Sequence, residues 1–185
     1  MLNESWAREF SEILLTLDKR QDLRDAILAI MERSEMPGKV LEGGNRLETF
    51  KGILSALVQG KFSLNEALNL CDSHLGRVGS PYGHDNRVFS RGWAERLVRV
   101  QLSRFYNQAV LELFKSKGIV ECFVPHSSTE DSDSKCSLFL AGQVHNVDLM
   151  LDALVVAYND GVWSDQRKVP DHPNCTHVIS PVPTA

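Results

Sequence analysis

No run of apolar residues in this chain approaches the roughly 20 needed to cross a bilayer as a helix, and the N-terminus lacks the basic-then-apolar pattern of a secretory signal. We therefore expect a protein made and kept in a cytoplasm, with no membrane partner. Charge of one sign is also missing. Twenty Lys plus Arg stand against 24 Asp plus Glu, a formal net charge of -4, which provides no general electrostatic drive toward nucleic acid or anionic lipid. There is no Gly-rich phosphate loop, no nucleophile elbow and no His-Glu-x-x-His motif. Internal repeats and low-complexity tracts are absent as well. Cysteine is sparse: Cys71, Cys122, Cys136 and Cys175. In a reducing compartment such residues are thiols or metal ligands rather than disulfides. No Cys-x-x-Cys occurs, because Phe139 stands where the second cysteine would be.

What is present is ordinary globular material, 43% hydrophobic and 24% charged over 185 residues, enough for one domain or one domain with a smaller appendage. Helical spacing of Trp6, Phe10, Ile13, Leu14 and Leu17 predicts a helix over Glu4 to Leu17. Leu23, Ile27, Ile30 and Met31 predict another over Gln21 to Arg33, and a third runs near Leu47 to Val58. Ser63-Leu-Asn-Glu66 has the form of a capping box and opens a fourth helix with Gly76 as its stop. The turn-rich stretch from Gly76 to Asn86 marks a boundary, so we expect a helical arm or subdomain over 1–80 and an α+β domain over 81–185.

The dominant element of that second part is a long amphipathic helix from Arg91 to Gly118. Trp93, Leu97, Val98, Val100, Leu102, Phe105, Ala109 and Leu113 lie on its apolar arc; Ser90 is the expected N-cap and Gly118 the stop. A strand over Gly118 to Val124 follows, then a polar loop from His126 to Lys135 and a second strand or turn over Leu138 to His145. A helix over Val147 to Tyr158 and a short closing strand from Cys175 to Val182 complete the chain. The expected class is α+β, with a helical N-terminal half, a long central helix and a small β-containing C-terminal domain.

Two groups of residues carry chemistry. On the long helix, Arg99, Gln101, Arg104, Tyr106 and Asn107 are polar among apolar neighbours. They either snorkel into a local network or form a cluster that holds the following loop or an interface. Arg87, Arg91, Arg96, Arg99 and Arg104 make the one notable basic cluster, and with it a weak nucleic-acid reading. Near the end, His172-Pro-Asn-Cys175-Thr-His177 is dense in ligand-type residues. With Cys136 it could furnish a zinc site, which needs about four N or S ligands. His126, His145, Cys122 or Asp133 are further candidates for the fourth place. Two other readings stand beside it: buried cysteines and hydrogen-bonded histidines with no metal, or a Cys136 nucleophile with His172 or His177 as base and Asp133 as orienter.

The order of these pieces resembles the C-terminal domain of phage Mu F-like minor head (head morphogenesis) proteins. In that family an Arg-Thr-Glu-x-x-Arg-x-Tyr-Asn-x-Ala helix precedes an Asp-x-x-Cys or Asp-x-x-x-Cys. A Leu-x-Gly-Lys/Gln turn and a closing His-Pro-Asn-Cys-Arg segment follow. Here the helix matches at Arg99, Arg104, Tyr106, Asn107 and Ala109, with Gln101 in place of Glu. The next pieces match at Asp133 and Cys136 and at Gly142 and Gln143, and the close matches at His172, Pro173, Asn174 and Cys175. The chain departs from the family in lacking Cys-x-x-Cys, in having His177 where Arg-Cys or Arg-His is usual, and in an insertion near Asn146 to Lys168. The resemblance spans about residues 91 to 182. It implies a non-enzymatic virion component, present in few copies, associated with the portal or other head proteins and acting in capsid assembly or DNA packaging and delivery. Such a protein occupies the host cytoplasm during assembly and then the virion head, with DNA at most a weak partner. The family's site implies structural zinc on Cys136, His172, Cys175 and His177. It also implies that the network of Arg99, Gln101, Arg104, Tyr106, Asn107 and Asp133 pins the closing segment onto the helix. The alternative is a small thiol-dependent hydrolase or toxin-like enzyme using Cys136 with His172 or His177.

Overall fold

The structure, a computed structural model, describes residues 5–183. Its helices are α1 (Ile13–Lys19), α2 (Gln21–Arg33), α3 (Arg46–Val58), α4 (Leu64–His74), α5 (Trp93–Ser116), α6 (Lys135–Leu140) and α7 (Val147–Asn159). Two strands, β1 (Glu121–Val124) and β2 (Gln143–Asn146), pair antiparallel with Cys122 opposite His145 and Val124 opposite Gln143. The architecture is the expected one: helical first half, long central helix, small sheet near the C-terminus.

α5 is the axis. Every residue from Gln101 to Leu111 is buried, because α2 and α7 pack along it while α3 and α4 contact it as well. A helix covered on all sides has no solvated face on which to place its polar residues, so their partners come from inside the protein. Arg104 keeps two buried nitrogens, Nε and Nη2, without a hydrogen-bond partner among the described residues. The helix ends as its sequence dictates: Gly118 takes φ +70°, a left-handed conformation that glycine adopts without the Cβ clash. At its start Gly92, not Ser90, is the capping position. The Ser90 hydroxyl instead accepts a 2.5 Å hydrogen bond from Arg96 Nη2. The capping box of α4 forms as read, Ser63 Oγ accepting from the Glu66 N–H at 3.3 Å and Glu66 Oε2 from the Ser63 N–H at 2.7 Å.

The N-terminal helices share one continuous core with the rest. Leu23, Ile27, Ile30 and Met31 of α2 join Val98, Phe105 and Phe114 of α5 and Leu154 of α7. Across the surface, Arg33 Nη2 meets Glu112 Oε2 at 2.6 Å.

Three further local expectations change. The first helix begins at Ile13, after a 3-10 turn over Phe10–Glu12, and Glu4 lies outside the described residues. Long-range bonds compete with helix here: the Phe10 N–H donates to Thr176 O at 2.8 Å, and the Glu9 carboxylate is engaged by Ser127 and Ser128. The stretch expected as a strand or turn from Leu138 contains the end of α6, because Ser134 caps that helix by accepting from the Ser137 N–H at 3.2 Å. The closing strand reduces to one bridge, Ser180 with Phe123, bonded in both directions at 2.9 Å.

Candidate metal centre and its brace

The closing segment reaches α5 through Asn107. Asn107 Oδ1 accepts from the Ile179 N–H at 2.6 Å, and its Nδ2 donates to Ser103 O at 2.8 Å. Residue 107 lies within the all-round buried part of α5, so this amide replaces the water that a loop N–H would otherwise use. With Phe123 on one side of Ser180 and Phe10 bonded to Thr176, the segment from Cys175 to Ser180 is tied to three other parts of the chain.

At the beginning of that segment three ligand-type side chains converge. Cys136, the second residue of α6, is brought inward by the Ser134 cap. Its Sγ, the Cys175 Sγ and a ring nitrogen of His177 all lie within 4.8 Å of one another, and all three residues are buried. This group can hold a metal ion. His172 Nε2 approaches the Cys136 Sγ at 3.2 Å from outside the trio, and Ser134 Oγ stands 3.3 Å from the same sulphur. His177 turns Nδ1 toward Cys175 Sγ, 3.6 Å away, and Nε2 toward Glu130 Oε2 at 2.6 Å. The carboxylate accepts from Nε2, and Nδ1 is the ring nitrogen that faces the Cys175 sulphur. That is the orientation metal-ligating histidines receive from an outer carboxylate.

Glu130 is itself fixed by His126 Nδ1 at 2.6 Å and the Ser127 N–H at 3.1 Å. Burial pushes its carboxyl up, but the hydrogen bonds from His126 and His177 outweigh that and hold it below the ordinary value. The hydrogen bond from Cys175 moves the Cys136 thiol down, and the same bond together with burial moves Cys175 up. Beside Cys136 lies a pocket of about 380 Å³ whose wall includes Lys135, Phe139, Asp165 and Arg167.

Other sequence candidates are placed elsewhere. Cys71 on α4 and Cys122 on β1 are buried outside the trio, and burial pushes each up to about 12. The His145 ring bonds Leu140 O at 3.0 Å. Asp133 is exposed, its N–H bonded to Asp131 Oδ1 at 3.1 Å.

The other polar residues of α5 have the following partners. Tyr106 Oη accepts from the buried Ala7 N–H at 3.1 Å. Arg104, fully buried, donates from Nη1 to Gln101 Oε1 at 3.2 Å, lies over the Phe105 and Tyr158 rings, and is lowered to about 10 by burial. Arg99 stacks 4.2 Å over Phe10. With Arg104 in the core, the arginines do not form one basic face.

Sequence reasoning missed Glu130 and Glu9. Each is an ordinary acid in a polar or helical stretch, and only the fold brings Glu130 to a histidine 47 positions away. Compared as a whole, the chain matches no family model, no curated protein and no solved structure. Its geometry defines a mixed helical chain with a small sheet and a buried Cys, Cys, His group. No helix among the described residues is long and apolar enough to cross a membrane.

Proposed function

We propose that this protein acts structurally, as a minor head protein of the phage Mu F-like kind, in capsid assembly, portal association or DNA packaging and delivery. One observation carries the reading: the pieces that resemble the family are far apart in sequence yet join in space. Asn107 of the helix piece bonds Ile179 beyond the closing piece, and Cys136 of the Asp-x-x-Cys piece meets Cys175 and His172. The Gly142 N–H of the turn piece donates to Val124 O at 2.8 Å. Such convergence suits a braced scaffold.

Zinc fits the donors: two thiols, and a histidine already oriented by a carboxylate. Cys136, Cys175 and His177 would hold the ion, with His172 the nearest further ligand. Bound there, zinc would supply a cross-link between α6 and the closing segment and take no part in a reaction. Glu130 and Asn107 keep the segment in place around it.

The test has two parts. The protein should be recovered with portal-containing head particles in few copies per head, and chain purified without chelator should carry about one zinc. Absence from purified particles refutes the head-protein role. His172→Ala should lower the melting temperature; an unchanged melt removes His172 from the brace.

A second reading, a thiol-dependent hydrolase or toxin-like enzyme, draws on the Cys136–His172 contact of 3.2 Å at a pocket wall. Asp133, exposed, orients neither histidine. If Cys136 alkylates only after unfolding, this reading fails.

A further inference from the structure

Cys136 and Cys175 belong to different elements, α6 and the closing segment, yet their sulphur atoms lie within 4.8 Å. A disulfide needs about 2.05 Å between sulphurs, so an approach of at most about 2.8 Å joins them. The pair is asymmetric. Cys136 lines the pocket of about 380 Å³ and has His172 Nε2 at 3.2 Å. Cys175 is buried and does not line that pocket, and its sulphur has His177 Nδ1 at 3.6 Å. A small oxidant entering by the pocket therefore meets Cys136 first, with Cys175 as the one neighbouring thiol. Cys71 and Cys122 are not in the group.

We propose that Cys136 and Cys175 form a peroxide-reactive dithiol that closes to a disulfide in place of binding metal. In the first step the Cys136 sulphur attacks one oxygen of hydrogen peroxide. An S–O bond forms, the O–O bond breaks, and hydroxide leaves, becoming water by taking up the proton that the Cys136 thiol gives up. Cys136 is then a sulfenic acid. In the second step the Cys175 sulphur attacks that sulphur, the S–S bond forms, the S–O bond breaks, and the departing hydroxide takes up the Cys175 proton. Two thiols and one peroxide become one disulfide and two waters; the sulphurs together lose the two electrons that the peroxide gains. Because a metal at this site requires both thiolates, oxidation and metal binding exclude each other. The metal half of this inference rests on the zinc reading above, and the dithiol half does not.

The experiment uses the full chain, once metal-free under chelator and once zinc-loaded, with one equivalent of hydrogen peroxide. Expected in the metal-free chain are a mass loss of two hydrogens, disappearance of two of the four thiols, and a peptide map linking residues 136 and 175. With Cys175→Ser, a sulfenic-acid probe should label Cys136. With Cys136→Ser, oxidation at Cys175 should be slower by about ten-fold or more. Oxygen added at Cys136 while Cys175 stays reduced overturns the proposal, and so do disulfide-linked dimers or four unreacted thiols. These are read on the wild-type chain, so they hold even if a variant fails to fold. In the zinc-loaded chain, one zinc should be released per disulfide formed. A chain that never takes up zinc yet forms the disulfide removes the metal reading and leaves the dithiol standing. A chain that binds zinc but resists peroxide after chelation does the reverse.

Discussion

Replacing Asn107 by alanine isolates the bond that joins the closing segment to the central helix. The Ile179 N–H, on a fully buried residue, loses the oxygen it meets at 2.6 Å. Stranding a buried donor costs about 1–3 kcal/mol. The vacated amide leaves a void larger than a methyl group at a position with 0% exposure, adding about 1 kcal/mol. Ser103 O loses only an extra donor. The sum, about 2–4 kcal/mol, is a large part of the roughly 5–15 kcal/mol that holds a domain folded. For a chain of this size each kcal/mol moves the melting temperature about 2–4 °C, so Asn107→Ala should melt roughly 5–15 °C below wild type. The assay is thermal unfolding followed by circular dichroism, with chelator present in both samples so that metal does not contribute. Hydrogen exchange adds a local readout: the Ile179 amide should lose protection ahead of the amides in the buried part of α5. A melting temperature within a degree or two of wild type would refute the brace, as would an Ile179 amide as protected as before.

Tyr106→Phe removes the acceptor of the buried Ala7 N–H and should destabilise by about 1–3 kcal/mol in urea unfolding; no change would mean that the N-terminal segment is not held through this hydroxyl. Glu130→Gln should weaken zinc binding about 10–100-fold in competition with a chromogenic chelator, because the outer carboxylate orients His177; unaltered affinity would remove that role. Glu9 is held at about 2, below its ordinary 4.5, chiefly by the Ser128 hydroxyl and then Ser11. A depressed carboxyl contributes stability that is complete above its unfolded value and is lost as pH falls toward the folded one. Wild type should therefore exceed Glu9→Gln in stability at neutral pH, and the gap should close between about pH 4.5 and pH 2. A gap independent of pH in that range would show that the Ser127–Ser128 contact does not depend on the charge.

Much of the fold was legible because its signals are local. The limits of α2 follow from four apolar residues at helical spacing, and the start of α4 from Ser63 and Glu66, three positions apart. The end of α5 at Gly118 and the helix α7 were readable for the same reason, as was the candidacy of Cys136, Cys175 and His177 from residue type and the Pro173 turn. What local pattern does not carry is which of several equal claims on a side chain prevails. Ser90 had the composition of an N-cap, but Arg96 took its hydroxyl and Gly92 took the position. Phe10 had helical spacing, but Thr176 drew its N–H into a long-range bond.

Sequence alone thus determined the helical periods, the stops, and the supply of thiols and imidazoles, since each depends on neighbours within a few residues. Tertiary structure alone decided that Asn107 serves Ile179, that Arg104 lies in the core instead of on a basic face, and that Glu130 orients His177. Those outcomes depend on packing between segments 47 to 72 positions apart. There burial removes water as a competing partner, so a buried polar group depends on what the fold places beside it. The Asn107 amide is bonded at both ends, while Arg104 Nε and Nη2 have no hydrogen bond among the described residues and the guanidinium lies over two aromatic rings.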